Sequence, residues 1–318
     1  MARFTAHVLK PGGRLHLVGD DDSGRFIKLA PVADMLTAAG ARACWATLDP
    51  RVPGDLPDDA EWPAERHADH RGLLAMAGAL LGDESAASSD ELAADAALVR
   101  ALSGGAVLAR PIGGDAPPVT IRGEVPEAAG DARTYVFPLP DGALEGVRRC
   151  AYPQFGLYLW RGERIYLAVR CGGQRHGSGG HAHADHLALE LAVDGVDWIA
   201  DPGSFLYTAL PEVRDRYRSV AAHFAPRVSG REPMALGPGP FSSADQSAAR
   251  CLRFDGQGFA GTHEGYGIPV YRQVEITDTE IRVTDWARGA ALEPLEIMAG
   301  ARAARGGTYA DGYGRRVR

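Results

Sequence analysis

The chain has 318 residues, of which 45% are hydrophobic and 24% charged, with a formal net charge of −7. That composition is ordinary for a globular protein and excludes a wholly disordered or collagen-like chain, and its apolar stretches fall far short of the roughly 20 residues that span a bilayer. The acidic balance also argues against a nucleic-acid binder, which normally carries a basic domain with a basic patch.

Taken in chain order, the N-terminal segment MARFTAHVLKPGG has a basic residue but no apolar core of the kind a signal peptide needs. Phe26 to Ala39 and Ser89 to Leu102 place apolar residues at mixed three and four spacing, which predicts helices, the second capped by Ser89 or Asp90. GLLAMAGALL, residues 72–81, is a shorter helical stretch, and DPRVPGDLPDDAEWPAE before it reads as loop. Glycine and proline then recur without a period through RPIGGDAPP and VFPLPDG, as in a linker or a set of short irregular strands. Beyond Ala151 short runs rich in β-branched and aromatic residues follow one another: FGLYLW, RIYLAVR, HLALELAV, VDWIAD, RVSG, CLRF, FAGTHE, PVYRQVEI and IRVTDW. Turn signals at Arg161-Gly162, Asp194-Gly195, Asp255-Gly256 and Asp278-Thr279 separate them. The expected organisation is a partial helical region over 1–110, a linker over 111–150 and an antiparallel β-domain over 151–318. The fold class is therefore mainly β, a sandwich or layered sheet preceded by a short helical region.

The Asp194-Gly195 turn sets a register. As a two-residue hairpin loop it pairs Val193 with Val196 and, in step, Ala188 with Asp201. One face then carries Leu187, Leu189, Leu191 and Val193 with Val196, Trp198 and Ala200, a core face; Glu190 and Asp201 lie on the other, where a ligand has access to Asp201. Cys44, Cys150, Cys171 and Cys251 are widely spaced and indicate neither a disulfide framework nor a cysteine metal site. Lys10 and Lys28 are the only lysines, so nearly all positive charge is arginine, whose planar fork suits carboxylate or sulfate; a GC-rich genome would give the same bias.

Four histidines, His176, His181, His183 and His186, lie within eleven residues beside Gly177, Gly179 and Gly180. His181 and His183 are two apart and share a side of an extended segment, and imidazole is the commonest metal ligand near neutral pH. In the simple hairpin register His183 reaches Asp201 only if GSGGHAHA folds back over the strand end, which the glycines allow. A second arrangement is also open: His183-Ala184-Asp185 with His223 or His263 would suit a non-haem iron oxygenase, with Asp185 as the carboxylate ligand. A third reading is a non-catalytic carbohydrate-binding sandwich.

The order GHAHAD, alternating strand, DG turn, DPG and RDRYRSVAAH, spread over roughly residues 150 to 290, resembles the C-terminal β-domain of heparinase II/III-type polysaccharide lyases. GDDDSGR, residues 19–25, resembles a segment near the end of the α/α toroid that precedes this domain in such lyases; otherwise it is an acidic loop. The resemblance implies β-elimination on a uronic-acid-containing polysaccharide, heparan sulfate-like or alginate-like. It implies that His183, Asp201 and His223 bind a mainly structural zinc ion, that His181 is catalytic and faces the sugar, and that Tyr207 and Arg218 contact substrate. Arg214, Arg216 and Arg218 alternate in sequence, and such a charge run otherwise reads as a solvated face. The family commonly has Asn after the last histidine where this chain has Phe224, so a polar contact is expected to be lost there. Full-length members are expected in the periplasm or outside the cell. In them the toroid supplies the catalytic base, so the chain by itself is expected to be weakly active or inactive.

Overall fold

The computed structural model describes residues 2–21, 32–45, 52–83, 90–108, 112, 119–128, 130–173, 180–237, 239, 243–244, 246–295, 309–312 and 315–317. Its first part holds helix α1 (Ala2–Val8), strand β1 (Ala33–Thr37), helix α2 (Ala38–Cys44), strand β2 (Glu61–Glu65) and helices α3 (Arg71–Leu81) and α4 (Asp90–Leu102). Strands β3 (Ile121–Arg122), β4 (Arg133–Pro138), β5 (Arg148–Tyr152), β6 (Leu157–Arg161), β7 (Ile165–Arg170), β8 (Leu189–Val193) and β9 (Val196–Ile199) follow. Then come helix α5 (Pro211–Arg218) and strands β10 (Ala235–Leu236), β11 (Ser243–Ala244), β12 (Arg250–Asp255), β13 (Gly258–His263), β14 (Val270–Ile276), β15 (Glu280–Ala287), β16 (Tyr309–Gly312) and β17 (Arg315–Val317). Among the described residues no helix is long and apolar enough to cross a membrane.

Two antiparallel sheets make the sandwich. One runs β5-β6-β7-β8-β9, the other β3-β12-β13-β14-β15-β4. Period-two alternation decides what fills the space between them. Leu167, Leu189, Leu191, Val193 and Ile199 face Phe254, Phe259, Val274, Ile281 and Val283 in one continuous buried cluster. The mainly β reading is thus what the chain builds. The outer face of the five-stranded sheet is buried too: Cys150, Leu157, Leu159, Tyr166, Ala168 and Ala192 pack with Val8 of α1. The N-terminal segment is therefore a cover for that sheet. Lys10 contacts the Glu190 carboxylate and lies 3.2 Å from Asp197, and Arg14 also pairs with Asp197.

Several expectations need correction. Residues 33–37 form β1, paired from Ala33 with Glu65 to Thr37 with Glu61, so EWPAE is a strand and not a loop. Thr37 ends that strand and caps α2 through its hydroxyl, which accepts from Gly40 N at 3.1 Å; the helix therefore begins at Ala38. The rest of the Phe26 stretch, Ser89 and most of RPIGGDAPP lie outside the described residues. The segment over 111–150 is more than a linker, because β3 and β4 form the two edges of the six-stranded sheet. In RTYVFP, Tyr135 and Phe137 point inward while Thr134 and Val136 are exposed. Pro138 is tolerated at that edge, where its missing N–H breaks no ladder. RVSG is a turn, with only Val228 bridging Leu292.

The two sheets are joined at one end by Arg272 of β14. Fully buried, it donates from Nε and Nη2 to both oxygens of its cross-strand neighbour Asp285 at 2.7 and 2.6 Å, and from Nη1 to the carbonyls of Leu187, at 2.7 Å, and Phe224. Burial pushes the Asp285 carboxyl up despite the guanidinium beside it. Removing one partner of a buried pair leaves an uncompensated charge, so Arg272→Met should cost about 3–5 kcal/mol. Urea unfolding of this variant should show a large loss of midpoint; a change within error would contradict the role given to Arg272.

Candidate metal and substrate site

Three loops at the Arg272 end converge. The first leaves β8 backwards. Leu187 is left-handed (φ 61°), a conformation rare for a branched residue, and its carbonyl is held by Arg272. Ala188 N donates to Asp185 O at 2.8 Å, closing a turn that returns residues 181–186 over the strand end. This is the folded-back path expected for His183; His176, Gly177 and Gly179 lie outside the described residues.

The second loop follows β9. Asp194 and Gly195 both have positive φ (51° and 76°), as a type I′ turn requires, and Val193 pairs with Val196 as expected. The register then slips by one, Leu191 pairing with Ile199. A bulge of one residue exchanges faces beyond it. Hence Ile199, in place of Trp198, pairs with Leu191 and enters the core, and the in-step pairing of Ala188 with Asp201 is not made; Val196, ahead of the bulge, is exposed. Asp201 is buried, its Oδ1 accepting from Gly203 N at 2.9 Å.

The third loop is α5 and the 3-10 turn Val220–Ala222. Because RDRYRS is helical, Arg214 and Arg218 share its inner face, and both are buried. Of the arginine run, only Arg216 lies on a solvated face. Arg218, expected at the substrate, instead donates from Nε to Ala182 O at 3.2 Å and pairs with Asp215, while its own carbonyl accepts from Ala184 N at 2.8 Å. Ser219 ends the helix and caps the turn by accepting from Ala221 N, which delivers His223. The Phe224 side chain joins the core beside Tyr135 and Phe137, with the Arg272 guanidinium 5.0 Å from its ring centre.

His183, Asp201 and His223 come together, each buried, with one ligand atom apiece within 4.8 Å of the others. His223 Nδ1 lies 3.0 Å from Asp201 Oδ2. Burial opposes ionisation of Asp201, but His223, His183 and the Gly203 N–H outweigh it and hold the carboxyl below its usual range. Burial likewise opposes the charged form of His223, and Asp201 more than compensates, raising it. Among the described residues, His183 Nδ1 and His223 Nε2 are buried without a hydrogen-bond partner. Two buried imidazoles and one buried carboxylate, each offering an atom within 4.8 Å of the others', are a donor set that suits a divalent ion such as zinc. Asp185 does not join the group; its carboxylate lies 3.7 Å from Arg170. His263 packs against His186, ring centres 5.4 Å apart. The oxygenase triad is therefore not assembled.

His181, two residues before His183, is exposed, and its ring lies 6.0 Å from that of Tyr207. Tyr207 is half-buried, with the Arg214 guanidinium 5.6 Å from its ring centre. Behind these rings stands Asp20, whose contact with the site sequence reasoning missed. Its side chain is fully buried, Oδ1 3.2 Å from His183 Nε2 and Oδ2 3.1 Å from His181 Nδ1 and in contact with Arg214. Burial works against its charge, and the bonds from His183 and Arg214 still hold its carboxyl below the usual range. The one available signal was the GDDDSGR segment, of which residues 22–25 lie outside the described ones.

Residues 146–300 match the family model of the heparinase II/III-like C-terminal domain. This part of the chain is a heparinase II/III-like C-terminal domain. No curated protein matches the chain. Among solved structures, the heparan sulfate lyase HepC from Pedobacter heparinus is 19% identical, with a TM-score of 0.37 over 46% of this chain and 24% of that one. The heparinase III-BT4657 gene product is 14% identical, with a TM-score of 0.38 over 55% and 32%. A further heparinase III is 16% identical, with a TM-score of 0.33 over 41% and 21%. The chain thus spans a third or less of the length of these proteins.

In this heparinase II/III-like domain the turn beyond Asp201 is tight. Gly203 has φ 76°, and a Cβ there would fall 2.0 Å from Ala310 O. Gly230 has a similar φ of 65° but open space around it. Gly230→Ala should cost about 1–2 kcal/mol for the left-handed backbone alone, and Gly203→Ala clearly more. Chemical denaturation of the two variants makes the comparison; equal losses would contradict the packing described for this turn.

Proposed function

We propose that this domain acts in β-elimination on uronic-acid-containing polysaccharides, of the heparan sulfate or alginate type, with zinc held by His183, Asp201 and His223 and with His181 turned to the sugar. One observation carries the reading: a single short segment puts a buried imidazole into a two-histidine, one-carboxylate cluster and, two residues earlier, an imidazole open to solvent. Elimination requires that the uronate charge be neutralised, the C5 proton removed and the 4-linked oxygen expelled, so charge stabilisation and a positioned proton acceptor are both needed. His181 serves one of these needs. Tyr207 gives the sugar a wall beside it. Arg218 acts at a distance from the sugar, holding the Ala182 carbonyl between the two histidines. Bound zinc would supply positive charge and a fixed link between the three loops, a mainly structural contribution.

Elemental analysis of the purified chain should find one zinc per chain, lost in Asp201→Ala; metal retained by that variant would remove the zinc assignment. On heparan sulfate or alginate the chain by itself should give little or no ultraviolet absorbance from an unsaturated product, and whatever appears should disappear in His181→Ala; rapid turnover by this chain alone would contradict the assignment of the catalytic base to the toroid. Glycan binding without turnover, and insensitive to His181→Ala, would make the domain a carbohydrate-binding module instead.

A further inference from the structure

We propose that Asp20 is a positioning residue that sets the proton placement on two histidines at once, fixing His183 for metal and His181 for substrate. The inference rests on the zinc reading above for its first half and is independent of it for its second.

The segment carrying Asp20 is locked to the site by its backbone. Asp20 N donates to His181 O at 2.9 Å, and Asp21 is held on both sides by Ser204, whose hydroxyl accepts from Asp21 N at 3.0 Å and donates to Asp21 O at 2.8 Å. Gly19 makes that approach possible: its φ is 71°, and a Cβ would lie 2.3 Å from the His181 carbonyl oxygen. The chain thus brings one carboxylate to the His-Ala-His segment, with each oxygen at a different ring.

An ionised carboxylate only accepts hydrogen bonds, so each imidazole nitrogen facing it carries the proton. For His183 that nitrogen is Nε2, which leaves the lone pair on Nδ1, the buried atom without a partner, as the ligating atom. A carboxylate on the far nitrogen of a metal-bound histidine orients the ring and raises its basicity. For His181 the bonded nitrogen is Nδ1, which leaves the lone pair on Nε2 of a side chain that is 68% exposed, the tautomer a proton acceptor needs. Arg214 contacts the same carboxylate and the Gly180 carbonyl, at 2.7 Å, so it balances the charge and holds the loop.

The test uses the full chain, with ring-nitrogen NMR of the histidines and zinc affinity measured by competition with a chromophoric chelator. In the metal-free wild type, His181 should be protonated at Nδ1 and unprotonated at Nε2. Asp20→Asn, nearly isosteric, should randomise that tautomer and lower zinc affinity about 10–100-fold, the usual loss when such an outer carboxylate is removed, with Asp20→Glu recovering part of it. Nε2 protonation of His181 in the wild type would overturn the proposal without recourse to any variant. So would an Asp20→Asn protein with wild-type zinc affinity and wild-type His181 signals. Failure of the wild type to bind zinc, with His181 still in the expected tautomer, would instead remove the metal reading and leave Asp20 as the residue that sets His181.

Discussion

The buried guanidinium of Arg272 does for this molecule what no stretch of apolar packing does: it holds two carbonyls, those of Leu187 and Phe224, that belong to the two loops delivering His183 and His223. Leu187 is strained, a cost of about 1–3 kcal/mol for such a conformation, and it persists because its carbonyl is claimed by a charged donor anchored on Asp285. The site therefore sits on the end of the sandwich by virtue of a polar clamp inside it. Phe224 shows the same logic from the other side. Its ring fills the core under the guanidinium, and its backbone, not its side chain, serves the site.

A second polar layer lies on the outer face of the five-stranded sheet. Lys10, Arg14 and His16 come from the N-terminal segment and meet Glu190 and Asp197 of the sheet. Burial, followed by the Lys10 charge, pushes His16 down to about 3; burial pushes Glu190 up to about 7, with Lys10 opposing. A cavity of about 10 Å³ touches His16, Glu190, Asp201 and His223, enough for one water. The same N-terminal segment continues to Asp20. The covering strap and the site are thus one structural unit: the residues that seal the sheet also carry the carboxylate that reaches the histidines.

Sequence alone revealed what depends on local period and turn chemistry. The type I′ turn at Asp194-Gly195, the alternation from Leu187 to Val193 and the helices over 71–81 and 90–102 follow from neighbouring residues. Other features depend on distant partners. The bulge between Asp197 and Ile199 puts Ile199 in place of Trp198 opposite Leu191, and nothing in VDWIAD marks it. The strand at 33–37 exists because 61–65 pairs with it. Arg214 and Arg218 looked like a solvated run until the segment proved helical, which put them on one buried face. Asp20 stands 163 positions from His183, and no spacing rule spans that separation.

The central claim is that His183, Asp201 and His223 bind one zinc ion through two imidazole nitrogens and one carboxylate oxygen. X-ray absorption at the zinc edge on the purified, zinc-loaded chain measures that directly. The account predicts a first shell of nitrogen and oxygen near 2.0–2.1 Å with the outer-shell signature of two imidazoles. A sulfur shell near 2.3 Å, or a shell of light atoms with no imidazole signature, would contradict it.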